Sequence, residues 1–137
     1  MADIEIELPF KIHIDFVSDA MHRVELLMTC AASSVWTAVN EATKKDWVHH
    51  NDWDAFVKDV YLLKKGEKKA ASLTAEGYHD TALITLLTNE AGTTITVYYN
   101  VTTMTYKPNI RCEIAANITT EELGILYEKL SAFAKWW

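Results

Sequence analysis

The sequence predicts an α+β fold, in which an antiparallel β-sheet meander packs against two helices at about residues 52–64 and 120–137. Three observations support this: period-two alternation at the N-terminus, two apolar stripes with helical spacing, and strand-like runs separated by turn residues. The chain has 137 residues, of which 50% are hydrophobic, and both values suit one globular domain. We therefore treat residues 1–137 as a single domain.

Apolar residues occupy every even position from 4 to 16, and polar residues lie between most of them. This alternation predicts one half-buried strand, or two strands around a bend. Pro9 cannot donate a ladder hydrogen bond, so it marks an edge or a bulge. Residues 19–42 fit strand and helix patterns about equally. We favour two strands there, Val24–Cys30 and Val35–Asn40.

The stretch 46–53 leads into the first predicted helix, with Asn51 or Asp52 as its cap. Its apolar face consists of Trp53, Phe56, Val57, Val60 and Leu63. Lysines and a glycine at 64–66 suit the end of a helix.

Four strands are predicted between residues 68 and 118, with turns at 76–77, 89–92 and 107–109. Thr119 and Glu122 then have the spacing of a capping box, which opens the closing helix. Its apolar stripe is Leu123, Leu126, Tyr127, Leu130, Phe133 and Trp137.

The charge balance limits the classes of partner. The formal net charge is −6, and residues 1–60 hold 11 acidic against 5 basic residues. Nucleic acids and anionic membranes attract basic surfaces, so we expect neither as a partner. No signal peptide is visible, and two cysteines make no disulfide framework, which together favour the cytoplasm.

No motif predicts catalysis, a metal site or a cofactor. His49 and His50 are the most ligand-like pair, but adjacent histidines on a regular element cannot face one metal ion, and an exposed loop or cap explains them. Cys30 and Cys112 lie in apolar runs and are expected to be small core residues. Glycine-rich nucleotide motifs are absent. We therefore expect a binding protein rather than an enzyme.

The pattern of elements from residue 24 to 137 resembles the WapI-type immunity proteins of bacterial contact-dependent toxin systems. The resemblance is carried by Asp46-Trp47-Val48, the helix face from Trp53 to Leu63, Ala71-Ser72-Leu73, Ile110-Arg111-Cys112-Glu113-Ile114 and the leucine-rich closing helix. It implies an antitoxin that binds the C-terminal toxin domain of a secreted effector, often a nuclease, and has no chemistry of its own. The expected partner is a cognate toxin domain with a basic surface, and the expected state is a monomer or small homo-oligomer.

An acidic protein can cover such a basic surface and bind it rapidly through electrostatic steering. The residues expected to bind the toxin are those of an acidic stretch and its neighbours: Asp46, Trp47, His49, His50, Asp52 and Asp54. Glu76, Asp80 and Glu90, in predicted loops, are the second choice.

Two other classes remain open. A helix-grip protein would hold an apolar ligand between its sheet and closing helix, and this requires residues 19–42 to be helical. A structural or adaptor subunit would instead form a stable homo-oligomer or present a large exposed apolar patch.

Overall fold

The structure is a computed structural model that describes residues 3–32, 40–76, 82–101 and 110–137. Its first sheet contains β1 (Ile4–Ile6), β2 (Lys11–Ala20), β3 (Arg23–Ala32) and β4 (Asn40–His49), which lead into helix α1 (His50–Lys64). Its second sheet contains β5 (Ala70–Thr74), β6 (Ala82–Asn89), β7 (Gly92–Val101) and β8 (Ile110–Ile118), which lead into helix α2 (Thr120–Ala132). The predicted α+β class is confirmed.

Both sheets are antiparallel meanders whose strands pair in sequence order. Each helix follows one sheet but packs against the first strand of the other: α1 contacts β5, and α2 contacts β1. The two helices also contact each other. This exchange ties the halves together, and side chains from both sheets and both helices form one buried cluster.

The N-terminal segment forms two strands around a bend at residues 7–10, where the Leu8–Pro9 peptide is cis. This is one of the two arrangements that the alternation predicted. The predicted strand at 24–30 is confirmed by β3, and Asn40 begins β4, whereas residues 33–39 lie outside the described part of the chain. β3 is a strand where the helix-grip alternative requires a helix.

A β-bulge near residue 17 changes which face of β2 the following residues occupy. Phe16 lies opposite Leu26, but Ser18 then pairs with Glu25 and Asp19 with Val24. Without the extra residue, Asp19 would lie on the same face as Glu25. The bulge instead places Asp19 on the face of the buried Val24, which is the side where α1 begins.

The predicted cap of α1 is wrong. The helix begins at His50, and the N-cap residue His49 makes no side-chain capping bond. Because β4 runs directly into the helix, neither Asn51 nor Asp52 can occupy the cap position. The backbone N–H of His50 donates instead to the carbonyl of His22 at 2.9 Å, and Asp52 lies in the first turn, where its charge suits the helix dipole.

The capping box of α2 is confirmed: Thr119 accepts from the backbone of Glu122 at 3.1 Å, and Glu122 accepts from that of Thr119 at 2.9 Å. The helix ends at Ala132, five residues before the predicted end, and Phe133 has an extended conformation. Residues 133–137 form a tail. Its aromatic rings contact β2 and α1, so packing against those elements replaces the last helical turn.

Candidate protein-binding surface

Phe16 is the centre of an aromatic cluster that joins β2, α1 and the C-terminal tail. The ring of Phe133 stacks on it at a centroid distance of 4.2 Å and an angle of 13°. Trp53 of α1 meets it edge-on at 5.1 Å, and Trp136 meets it edge-on at 6.1 Å. Phe16 and Trp53 are buried, whereas Trp136 is 48% exposed. The cluster therefore presents one indole to solvent on a buried aromatic base.

Polar contacts hold the tail on both sides of Trp136. The indole of Trp137 stacks on the ring of His50 at 4.4 Å and 3°, and its Nε1 donates to Asp54 Oδ1 at 3.3 Å. Lys135 Nζ donates to the same Asp54 oxygen at 2.9 Å. His50 Nε2 lies 2.7 Å from Asp19 Oδ1. These contacts fix the direction in which the tail crosses the start of α1.

Three carboxylates lie around the aromatic cluster. Asp19 and Asp54 hold His50 and the tail, and Asp3 Oδ2 accepts from the backbone N–H of Phe16 at 2.8 Å. A carboxylate offers about four acceptor sites, so each can take further donors. We call the following set the Trp136 surface: Asp3, Asp19, His50, Asp54, Lys135, Trp136 and Trp137.

A second cluster lies beside the first, at the end of β4. Arg23 Nη1 donates to Glu76 Oε2 at 2.8 Å, and its guanidinium lies 4.6 Å from the ring centre of Trp47. His49 Nε2 lies 3.5 Å from Glu76 Oε1. The hydrogen bond from Arg23 lowers the pKa of the Glu76 carboxyl below its usual value. The acid of this cluster is therefore already paired with a cation.

A shallow pocket of about 320 Å³ connects the two clusters, and it is lined by His22, His49, His50 and Asn51. The predicted histidine pair thus lies at the centre of the region, with one histidine in each cluster. Over the described ranges, no group of three His, Cys, Asp or Glu side chains is arranged to hold a metal ion.

The structure divides the predicted toxin-binding residues among several places. His50 and Asp54 belong to the Trp136 surface, and Trp47, His49 and Glu76 belong to the neighbouring cluster. Asp52 is exposed in the first turn of α1, but residues two positions apart on a helix do not share a face, so it points away from His50 and Asp54.

Two predicted residues are not part of this region, and a third is not described by the structure. Asp46 pairs with the buried Leu26 and so lies on the inward face of β4, because strand residues alternate between faces. Glu90 is exposed at the β6–β7 turn, at the opposite end of the second sheet from Glu76. Asp80 lies outside the described residues.

Sequence reasoning did not single out Asp3, Asp19 or Lys135, and it did not assign the exposed position of Trp136. The contacts of these residues are long-range: Asp19 meets His50 across 31 positions, and Lys135 meets Asp54 across 81. Local periodicity carries no information at such separations. The unusual pair Trp136-Trp137 at the end of the chain was the only available signal.

Cys30 is buried, and burial raises the pKa of its thiol to about 12, so it is a protonated core residue. The side chain of Cys112 is outside the described part. Neither helix is long and apolar enough to cross a bilayer; this applies to the residues that the structure describes.

Comparison of the chain with protein-family models, curated proteins and solved structures finds no match.

Proposed function

We propose that this protein is an immunity protein that binds and neutralises the C-terminal toxin domain of a bacterial secreted effector. The toxin is proposed to be a nuclease, blocked when its active site or substrate surface is covered in the cytoplasm of the producing cell. Two features support the proposal: the resemblance of residues 24–137 and the net charge of −6. We place the contact on the Trp136 surface.

The observation that carries this placement is an exposed indole among carboxylates. Trp136 is 48% exposed and contacts the buried Phe16 ring edge-on, so it is accessible and still packs against the core. Tryptophan is enriched among residues that dominate binding energy at interfaces. An arginine of the partner can lie over the indole face and donate to the carboxylates of Asp19 or Asp54.

Charge complementarity supports the same partner. Nucleases carry basic surfaces because they bind a polyanion. An acidic inhibitor is attracted to such a surface over several ångströms, which raises the association rate. Binding alone then prevents access of the substrate, and no catalytic group on the inhibitor is needed.

The cluster at the end of β4 is a secondary part of the proposed toxin contact. Glu76 is paired with Arg23, and Asp54 is likewise paired with Lys135, so a partner cation would compete with an existing contact at either carboxylate. Because Glu76 lies outside the Trp136 surface, we expect it to contribute less to toxin binding than Asp19 and Asp54. Glu90, at the far end of the second sheet, is expected to contribute nothing.

Co-expression in a sensitive bacterial host tests the proposed function. The toxin is the C-terminal domain of a secreted effector encoded beside this gene, and growth is compared with and without this protein. The proposal expects growth to be restored by the wild-type protein and by Glu90→Gln, and to be restored poorly by Trp136→Ala. Continued toxicity at confirmed expression of the wild-type protein would contradict it.

A further inference from the structure

A groove of about 510 Å³ lies between α1 and α2, next to the Phe16 cluster, whose Trp53 and Phe133 are among its lining residues. On α1 its wall consists of residues spaced i, i+3, i+4 and i+7, which share one helix face: Asp54, Val57, Lys58 and Tyr61. On α2 the wall is formed by Tyr127, Leu130 and Ser131, which have the same kind of spacing. Neither stripe is used by the toxin-binding proposal, apart from Asp54 at the edge.

Both ends of the groove are closed by side-chain pairs. The ion pair between Asp54 and Lys135, at 2.9 Å, closes one end. The rings of Tyr61 and Tyr127, whose centres are 5.2 Å apart, close the other. Tyr61 lies seven positions after Asp54, so at about 1.5 Å per residue the groove is roughly 10 Å long. This length accommodates two or three fused or linked aromatic rings.

The floor and the rim of the groove differ in chemistry. Val57, Leu130 and Phe133 provide an apolar floor. At the rim, Lys58 is exposed and has no ion-pair partner within the described ranges. Its neighbour at i−4, Asp54, bonds to Lys135 instead. The apolar part of a ligand can therefore be buried on the floor while the ammonium group of Lys58 is available at the rim.

Two further lysines lie at the tyrosine end of the groove, and one of them, Lys65, is also 3.7 Å from Glu67 Oε1. Lys64 Nζ lies 5.6 Å from the ring centre of Tyr127, and Lys65 Nζ lies 5.2 Å from that of Tyr61. These cations favour a bound anion, although the protein as a whole carries a net charge of −6. The local charge of this groove is thus opposite to that of the whole chain.

We propose that this groove is a binding site for a small organic anion with an aromatic body. The rings of the ligand lie between Val57 and Leu130, against the tyrosine pair, and its acidic group contacts Lys58. This site shares Asp54 and Lys135 with the Trp136 surface, but the proposal does not rest on toxin binding, and the probe titrations below test it without the toxin.

Two matched fluorescent probes test the proposal. Anilinonaphthalene sulfonate has an aromatic body and one anionic group, and N-phenylnaphthylamine has the same rings without the sulfonate. The proposal expects saturable binding of the sulfonate at a single site on the folded protein, and weaker binding of the neutral amine. Equal affinity for both probes, or the lack of saturable binding, would overturn it.

Variants locate the bound probe. Lys58→Met is expected to weaken sulfonate binding about fivefold, the effect of losing one partly exposed charge contact, and to leave the amine unchanged. Lys69→Met removes an exposed lysine outside the groove and is the control for net charge. Tyr127→Leu is expected to weaken both probes.

If Lys58→Met and Lys69→Met lose the same affinity for the sulfonate probe, only net charge matters, and the assignment of the binding site to the groove would be overturned. Methionine is a good helix former, so Lys58→Met is expected to fold. Far-UV circular dichroism checks this before the titrations.

Discussion

The stacking of Phe133 on Phe16 holds the tail in place, and it can be tested by removing the two rings singly and together. Phe16 is 6% exposed, and the two ring centres are 4.2 Å apart. Phe16→Leu and Phe133→Leu keep apolar side chains at both positions, so they remove the ring contact without leaving a large cavity. We expect Phe16→Leu to lower the free energy of unfolding by about 1–3 kcal/mol, below the roughly 3–5 kcal/mol of full truncation to alanine.

The ring contact itself is measured by the coupling between the two substitutions. Aromatic pairs contribute about 0.5–1.5 kcal/mol beyond the effect of the area that they bury. We therefore expect the loss of unfolding free energy in the double variant to be smaller, by that amount, than the sum of the losses in the two single variants. Urea unfolding followed by far-UV circular dichroism resolves this, because 1 kcal/mol shifts the midpoint by about 0.3–1 M.

Phe16→Leu combined with Ile95→Val, in the second sheet, is the control, and this pair is expected to be additive. A coupling below about 0.3 kcal/mol between Phe16 and Phe133 would refute the reasoning. The tail would then not be held by β2, and Trp136 would lose its rigid base.

Three further predictions concern other parts of the molecule. Gly124→Ala is expected to stabilise the fold by about 0.5–1 kcal/mol in urea unfolding, since the added Cβ meets only Lys64 Cε at 3.8 Å; a loss of stability would contradict this. In a Cys112→Ser background, Cys30 is expected to resist alkylation at about pH 8 until urea unfolds the chain, because its thiol stays protonated; rapid labelling of the native protein would count against burial. Because the pKa of Glu76 is lowered in the folded protein, its ionised carboxylate stabilises the fold at pH values above the ordinary glutamate pKa. This stabilisation is lost as the pH falls through the lowered pKa. Glu76→Gln should therefore reduce the fall of the urea midpoint on acidification. An unchanged decline would show that the bond to Arg23 has no effect on stability.

The parts of the fold that follow local patterns were predictable from sequence. The capping box at Thr119 and Glu122 needs only a spacing of three residues, and the structure has both of its hydrogen bonds. The alternation at residues 4–16 likewise indicated strands, because one face of β1 and β2 is buried.

Element boundaries depended on tertiary contacts and were less predictable. β4 extends to His49 because it pairs with β3 along its whole length, although its sequence, Asn-Glu-Ala-Thr-Lys-Lys-Asp, has weak strand propensity. At the other end of the chain, α2 ends at Ala132, and the rings of the tail contact Phe16 and His50.

The candidate surface was predicted only in part. The sequence pointed to the start of α1, and His50 and Asp54 do lie there. Two facts could not be read from it: the bulge that turns Asp19 toward His50, and the return of the chain end to Asp54. Both depend on how distant segments meet, and a single sequence contains no record of that.

The central claim is that a basic toxin domain binds the Trp136 surface, and it is tested most directly by one affinity series. The purified toxin domain is titrated with the wild-type protein, Trp136→Ala and Glu90→Gln at salt concentrations from about 50 to about 500 mM, a range over which exposed charges become screened. We expect the wild-type affinity to fall with salt, Trp136→Ala to bind roughly 30-fold more weakly, as for a hot-spot residue, and Glu90→Gln to match the wild type. Salt-independent binding that Trp136→Ala leaves unchanged would contradict the account.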